Sequence, residues 1–391
     1  MFRISIPLLS LVMCAALATS ATAQLPLNDK DTQQISPLFE DHSADSLKCS
    51  IEGSRPALDF AFRFIASYEI RCTLGIFEGK KASIINYLRV TPQGKPPVIF
   101  GSAYHLPDIT PEMLKQAGGN FRKLKNQIGM SGAVSVGEGD YSIELLVTDD
   151  QNRACRKRWT VRASRNHAQR DVQIAIPPLT VEALDRAAWE VAAPQTRGGL
   201  RLTILLDAAP VNPYQARLYA WDRIFLLECV YSLLQQTPYK SIRLVAFNLE
   251  QQREIFRDEQ FGSGSLLSLS RALRAIETAS VSVQALKKRN SPEFLVNLAN
   301  KELSADERPD AIVFVGPNSR VDVRMSADLL TAAKPGSSPF FYFEYFPWTS
   351  AQFPDSIQRL VKAADGRTFR IHNPAELDQA IQKMLAQLKQ E

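Results

Sequence analysis

Leu200-Arg-Leu-Thr-Ile-Leu-Leu-Asp-Ala-Ala-Pro-Val-Asn212 is the stretch on which the reading of the fold turns. Its centre, residues 202–206, is a short apolar run with β-branched members, preceded by Gly198-Gly199 and followed by the loop-forming residues Asp207 to Pro213. Such a run reads as a strand buried on both faces, as in a parallel sheet. An amphipathic helical stretch, residues 213–236, comes next, so the strand presents Asp207 at its C-terminal end. Open α/β sheets keep their ligand sites at that end.

Downstream, strands and helices alternate. In the first helix Leu218, Trp221, Phe225 and Cys229 stand three and four apart and are expected to face the sheet. Residues 242–248 form the second strand, and 254–258 fit an antiparallel partner close behind it. Helices are expected at 266–277 and 292–303, the latter with Ser291 as N-cap and Pro292 at its first position. The remaining elements are a buried strand at 310–315 ending in Gly316-Pro-Asn-Ser319, a helix at 326–333 and an aromatic strand at 339–345. A helix at 355–364, an edge strand at 368–371 and a terminal helix at 376–388 follow. Residues 200–391 are therefore expected to be an α/β domain, doubly wound on a mostly parallel sheet.

Upstream, residues 47–163 carry strand signals. Leu58, Phe60, Phe62 and Phe64 alternate with Asp59, Ala61 and Arg63, giving one apolar face at period two. Further strands are expected at 68–74, 83–90 and 97–104; residues 108–136 are helical or irregular and are not placed. The clearest piece is a hairpin, 141–148 and 153–161, around Asp149-Asp-Gln-Asn152, introduced by Gly137-Glu-Gly-Asp140. It resembles the final hairpin of an immunoglobulin-type domain, which implies a small antiparallel β-sandwich. Cys49 then opens the first strand and Cys155 the last, and in immunoglobulin-like topologies those strands can lie side by side. Cys49–Cys155 is the disulfide this implies; two reduced, buried thiols are the alternative.

Residues 1–23 read as an export signal: Arg3 supplies the charge, 4–18 the apolar core and Ala21-Thr22-Ala23 the cleavage site. That core is too short for a membrane span. Residues 24–46 are polar and expected to be a flexible leader, and 164–199 a connector with a short helix at 181–191. The formal net charge of +5 is too small to name a polyanionic partner. The five cysteines contain no CxxC spacing and the four histidines are scattered, which argues against a zinc site. Arg153, Arg156, Lys157, Arg158, Arg162, Arg165 and Arg170 form a basic run in which only Trp159 is interleaved, the pattern of a solvated strand face. Nucleic acid is not expected, since a stacking platform needs more aromatics.

The order of elements after residue 200 resembles the von Willebrand factor A-like domain, and more closely the secreted von Willebrand factor A-related proteins of acidobacteria. The residues that carry it are Leu202-Thr-Ile-Leu-Leu-Asp207, Val245-Ala-Phe-Asn248, Ala311-Ile-Val-Phe-Val315, Leu360-Val-Lys-Ala-Ala-Asp-Gly366 and Ala375-Glu-Leu-Asp378. The resemblance implies a divalent metal held by a DxSxS motif after the first strand, a threonine from a later loop and an aspartate after the fourth strand. Here the motif reads Asp207-Ala-Ala209-Pro-Val211, the threonine position falls near Asn290-Ser291 and the aspartate position at about Gly316. The metal motif is degenerate, and neither a metal nor another cofactor is expected.

These readings converge on an exported bacterial protein, periplasmic or extracellular, that binds a protein or cell-envelope component without catalysis. The candidate binding face comprises Asp207, Asn212, Tyr214, Ser263, Ser265, Ser291, Asn318 and Arg320. One alternative is a hydrolase, for which a distant Asp207–His372 pairing is the available constellation, with no GxSxG elbow. Another is an anionic-polymer binder using the basic run 153–170.

Overall fold

The computed structural model describes residues 24–42, 45–73, 77, 83–105, 115, 118, 127–184, 199–211, 218–262, 264–276, 291–318, 338–345 and 355–389. The export signal expected at 1–23 and the helix expected at 326–333 lie outside them. The chain divides into two compact units, one of Met1–Ser54, Ser67–Ala133 and Ser142–Thr160, the other of Arg55–Ala66, Val134–Tyr141 and Val161–Glu391.

The N-terminal half supplies β1 (Leu25–Pro26), α1 (Asp29–Ile35), β2 (Cys49–Gly53), β3 (Ala57–Leu58), β4 (Phe64–Thr73), β5 (Ser83–Pro92), β6 (Val98–His105), β7 (Gln127–Val136), β8 (Gly139–Asp149), β9 (Ala154–Ala163) and β10 (Val181–Ala183). One sheet has the order β1-β6-β5-β8-β9 and another β10-β7-β4-β2, with β3 paired to β4. In β4 the buried residues Phe64, Ala66, Tyr68, Ile70 and Cys72 recur at every second position, so period two sends one face to the core. Within the first unit the two sheets are linked by the Cys49–Cys155 disulfide, with Cα atoms 6.2 Å apart. The Lys157 Nζ donation to the Ile51 carbonyl (2.8 Å) joins them too. Cys72 and Cys229 are buried free thiols, and burial pushes the Cys72 thiol up to about 11.

Three expectations for this half are corrected. Residues 24–46 do not behave as a flexible leader: β1 pairs with Phe100 and Gly101, and α1 is capped by Asn28, whose Oδ1 accepts from Asp31 N at 2.9 Å. Phe39, only 1% exposed, packs with Ile99, Leu146 and Ala154, and its apolar burial anchors the segment. Residues 58–64 are not one alternating strand but a hairpin in which Leu58 pairs with Phe64. Asp59 Oδ1 accepts from Ala61 N (3.0 Å) and Arg63 N (2.9 Å), a local turn that outcompetes the extended ladder. Likewise 181–183 is strand β10, not the start of a helix, because it pairs with Val134–Val136.

The second unit contains β11 (Leu200–Asp207), α2 (Ala220–Gln236), β12 (Tyr239–Asn248), β13 (Arg253–Asp258), α3 (Ser265–Arg274), α4 (Ser291–Leu303), β14 (Ala311–Pro317), β15 (Phe340–Tyr345), α5 (Ser356–Ala363), β16 (Arg367–Ile371) and α6 (Pro374–Leu388). Their sheet order is β13-β12-β11-β14-β15-β16. The strands pair in parallel except β12 with β13, which are antiparallel. The central strands carry fully buried Leu205, Val245 and Phe314, and α4 and α5 pack Leu295, Ala299, Ile357 and Val361 against that layer.

The fold class expected for the chain, a sandwich followed by a doubly wound α/β domain, is corrected. The described residues are mainly β, in three sheets, two of them antiparallel in their registered pairings and the third mixed. The physical reason for the difference is that an apolar run such as 202–206 reports burial on both faces of one strand. It does not report the class of the chain around it.

Candidate functional site at the end of the central strand

Asp207 is the last residue of β11, and the strand pairs with β12 on one side and β14 on the other. The residue is 1% exposed. Its side chain lies against Gly316: a Cβ at that glycine would stand 2.8 Å from the Asp207 Cβ and 3.1 Å from its carbonyl oxygen. Glycine at 316 is therefore what admits the aspartate. Among the described residues neither Asp207 carboxylate oxygen has a hydrogen-bond partner. Burial holds this carboxyl well above the usual carboxylate range, and the charges of Asp355 and Glu250 push the same way. The Leu249 amide favours the ionised form, but it does not reach hydrogen-bond geometry. An unpaired buried carboxyl in such a setting keeps its proton, because isolated charge in a dry interior costs far more.

Other polar groups at this end of the sheet are largely committed elsewhere, although Glu344 Oε2 is also buried without a hydrogen-bond partner. Asp355, fully buried, caps α5: its Oδ1 accepts from Ile357 N at 2.6 Å and Gln358 N at 3.3 Å. The Tyr342 hydroxyl is shared between Asp355 Oδ2 (3.0 Å) and the Pro317 carbonyl (2.9 Å). On β15 the buried Glu344 accepts from Asn318 Nδ2 at 2.7 Å, with Arg370 Nε 3.5 Å away. Burial raises the Glu344 pKa, and Asn318 and Arg370 oppose that rise. Asn248 Nδ2 donates to the Ala208 carbonyl at 2.8 Å, bracing the loop that leaves β11. Asp222 in the first turn of α2 closes the same loop, accepting from Val211 N at 3.0 Å and Tyr219 N at 2.8 Å.

Sequence reasoning missed Asn248, Asp222, Asp355 and Glu344 as the frame of this region. One of them had a legible signal: Asp355 stands at a helix start, where carboxylates cap amides, whereas the first-turn place of Asp222 emerges only once α2 is seen to begin at Ala220. Among the described residues no group of three or more His, Cys, Asp or Glu side chains is placed to hold a metal ion. The oxygens that a DxSxS motif would add are replaced by Ala209 and Val211. A sealed acid of this kind has no route to a substrate proton, so the geometry does not equip it for general acid–base work.

The candidate face is only partly assembled. Asn318 lies at the same end of the sheet as Asp207, with its amide tied to Glu344. Ser291 begins α4, but its side chain lies outside the described residues, as do Asn212, Tyr214, Ser263 and Arg320 altogether. Ser265 is a correction. It starts α3 after β13, and β13 runs antiparallel, with Asp258 level with Leu244. Ser265 Oγ donates to Asp258 Oδ2 at 2.7 Å, so it closes a turn toward the opposite end of the sheet from Asp207. Trp221 is a second correction: it is 37% exposed, while Leu218, Phe225 and Cys229 are buried as expected. The helix begins at Ala220, so Trp221 sits in its first turn, beside exposed Tyr219.

His372 is exposed just beyond β16, three strands from β11, roughly 14 Å at the usual strand spacing. The Asp207–His372 pairing is not assembled. In the basic run, Arg153 pairs with Asp149 and Arg165 with Glu138. Arg156 meets Asp45 (2.7 Å) and the carbonyls of Leu38 (3.2 Å), Phe39 (2.9 Å) and Asp41 (2.5 Å). These cations are spent on the chain itself, and Arg162 and Arg170 are the more exposed ones.

No family model matches the chain, and no curated protein matches it. Among solved structures it is similar to a protein assigned to ApaA from Bordetella pertussis, at 9% identity over 32% of this chain and 99% of that one, with a TM-score of 0.20. It is also similar to a β-glucuronidase of Bacteroides uniformis, at 9% identity over 88% of this chain and 38% of that one, with a TM-score of 0.19. These likenesses are too slight to carry fold or function, and they lend no support to the von Willebrand factor A-like resemblance.

Proposed function

We propose that the protein is an exported, non-enzymatic binding module that docks another protein or a cell-envelope component. The observation that carries this is the adjacent exposure of Tyr219 and Trp221, at 40% and 37%, where the loop from Asp207 meets α2. Tyr and Trp offer large, stiff contact area and dominate the energetics of protein interfaces. Asp222 accepts from the amides of Val211 and Tyr219, so the pair stands at a capped helix start, which lowers the ordering cost of docking. The sealed state of Asp207 supports the non-catalytic part of the reading. Among the described residues no helix is long and apolar enough to cross a membrane.

The test is capture from envelope and medium fractions by immobilised wild type and by Tyr219→Ala/Trp221→Ala. The expected result is a discrete partner retained by wild type and lost by a variant that melts normally. Capture indifferent to the double substitution would refute the docking surface. Turnover on a hydrolase panel that His372→Ala removes would restore the enzymatic alternative.

A further inference from the structure

A second feature lies in the same unit, away from the strand end. Asp378 on α6 is 7% exposed, and its partner is the neutral amide of Gln236, whose Nε2 donates to Asp378 Oδ1 at 3.0 Å. Among the described residues no lysine or arginine pairs with Asp378. The Gln236 amide, having turned its nitrogen to the carboxylate, leaves Oε1 buried without a partner. Both residues line a cleft of about 530 Å³ together with Asp171, Gln382, Phe62 and Ile174. Asp171 stands exposed, with Arg170 Nε 3.3 Å away.

The cleft therefore has a surplus of acceptors. Buried carboxylates are ordinarily met by a cation, and an unmet buried acceptor is costly. Phe62 and Ile174 add an apolar wall beside these oxygens. Its volume lies within the usual range of small-molecule sites.

We propose that this cleft binds a primary alkylammonium group, with Asp378, Asp171 and the Gln236 oxygen receiving its three N–H donors and Phe62 and Ile174 covering the alkyl arm. An ammonium has three donors and no acceptor, which matches what the cleft lacks. The site is independent of the Tyr219–Trp221 surface, so either reading stands or falls without the other.

Calorimetric titration of the full chain with cadaverine tests it, with pentanediol as the uncharged match. The expected result is saturable binding of cadaverine and none of the diol. Asp378→Asn keeps the acceptor for Gln236 and the volume, and it should weaken binding about tenfold or more, the loss of one charge-assisted contact. Asp171→Asn, on the exposed rim, should weaken it by a smaller factor without touching the fold. Absence of saturable heat, equal binding of the diol, or undiminished binding by a folded Asp378→Asn would each overturn the proposal.

Discussion

Asp207 joins two properties that sequence alone keeps apart: it is the last residue of a strand flanked on both sides by parallel neighbours, and it has the environment of a core residue. Its folded pKa is raised, whereas in the unfolded chain an aspartate titrates near about 4. Between those two values the unfolded state gives up a proton that the folded state keeps. Stability contributed by this group is thus full below about pH 4 and declines as pH rises toward the folded value. Asp207→Asn removes the titration while leaving a neutral polar group in the same place, so at neutral pH the variant should be the more stable of the two by about 1 kcal/mol or more, through the lost proton linkage. Urea melts over a pH series check this: the wild-type minus variant difference should widen with rising pH, and a constant difference would count against it. Gly316→Ala should destabilise by about 1–3 kcal/mol, since the added Cβ must displace Asp207 or the strand that carries it. A melt indifferent to that change would mean that the two strand ends are looser than described. The strand itself was legible from 202–206, and the missing serine oxygens from Ala209 and Val211. The contact with Gly316 was not, because it joins residues on different strands that no local pattern connects.

At the scale of elements, the cations of the 153–170 run act as clamps. Arg156 reaches across to the segment around Phe39 and Asp45 with four hydrogen bonds. Arg156→Gln should therefore destabilise the first unit by about 1.5–3 kcal/mol, the range for hydrogen bonds to a charged group. It should also speed amide exchange over residues 25–39; unchanged exchange there would show that Phe39 burial alone holds the segment. The charge pattern was visible in sequence, but its partners are more than a hundred residues away for Asp45, beyond the reach of periodicity. The same limit explains Ser265. The antiparallel direction of β13 was readable from the short turn behind β12, yet the reversal carries the next helix start to the far end of the sheet. A hairpin such as 58–64 misled for a third reason: its apolar alternation is real, but Asp59 bends the chain before the alternation can become a strand.

For the whole molecule, local signals identified most of the strands and helices among the described residues, while the class of the chain did not follow from them. Periodicity states which face of an element is apolar and is silent on how many sheets those faces build. The functional reading divides in the same way. Exposure of Tyr219 and Trp221 emerges only once the start of α2 is fixed, since helical spacing alone had placed Trp221 in the core. The Asp378 cleft depends on α6, α2 and the hairpin around Phe62, three distant parts of the sequence. The reading as a whole rests on the strand-end carboxylate being a sealed, protonated acid and not a ligand. Thermal melts of wild type and Asp207→Asn at neutral pH, with and without millimolar magnesium, test that most directly. The expected result is a wild-type midpoint unmoved by magnesium and a higher midpoint for Asp207→Asn in both buffers. A magnesium-dependent rise in wild type that Asp207→Asn abolishes would contradict it.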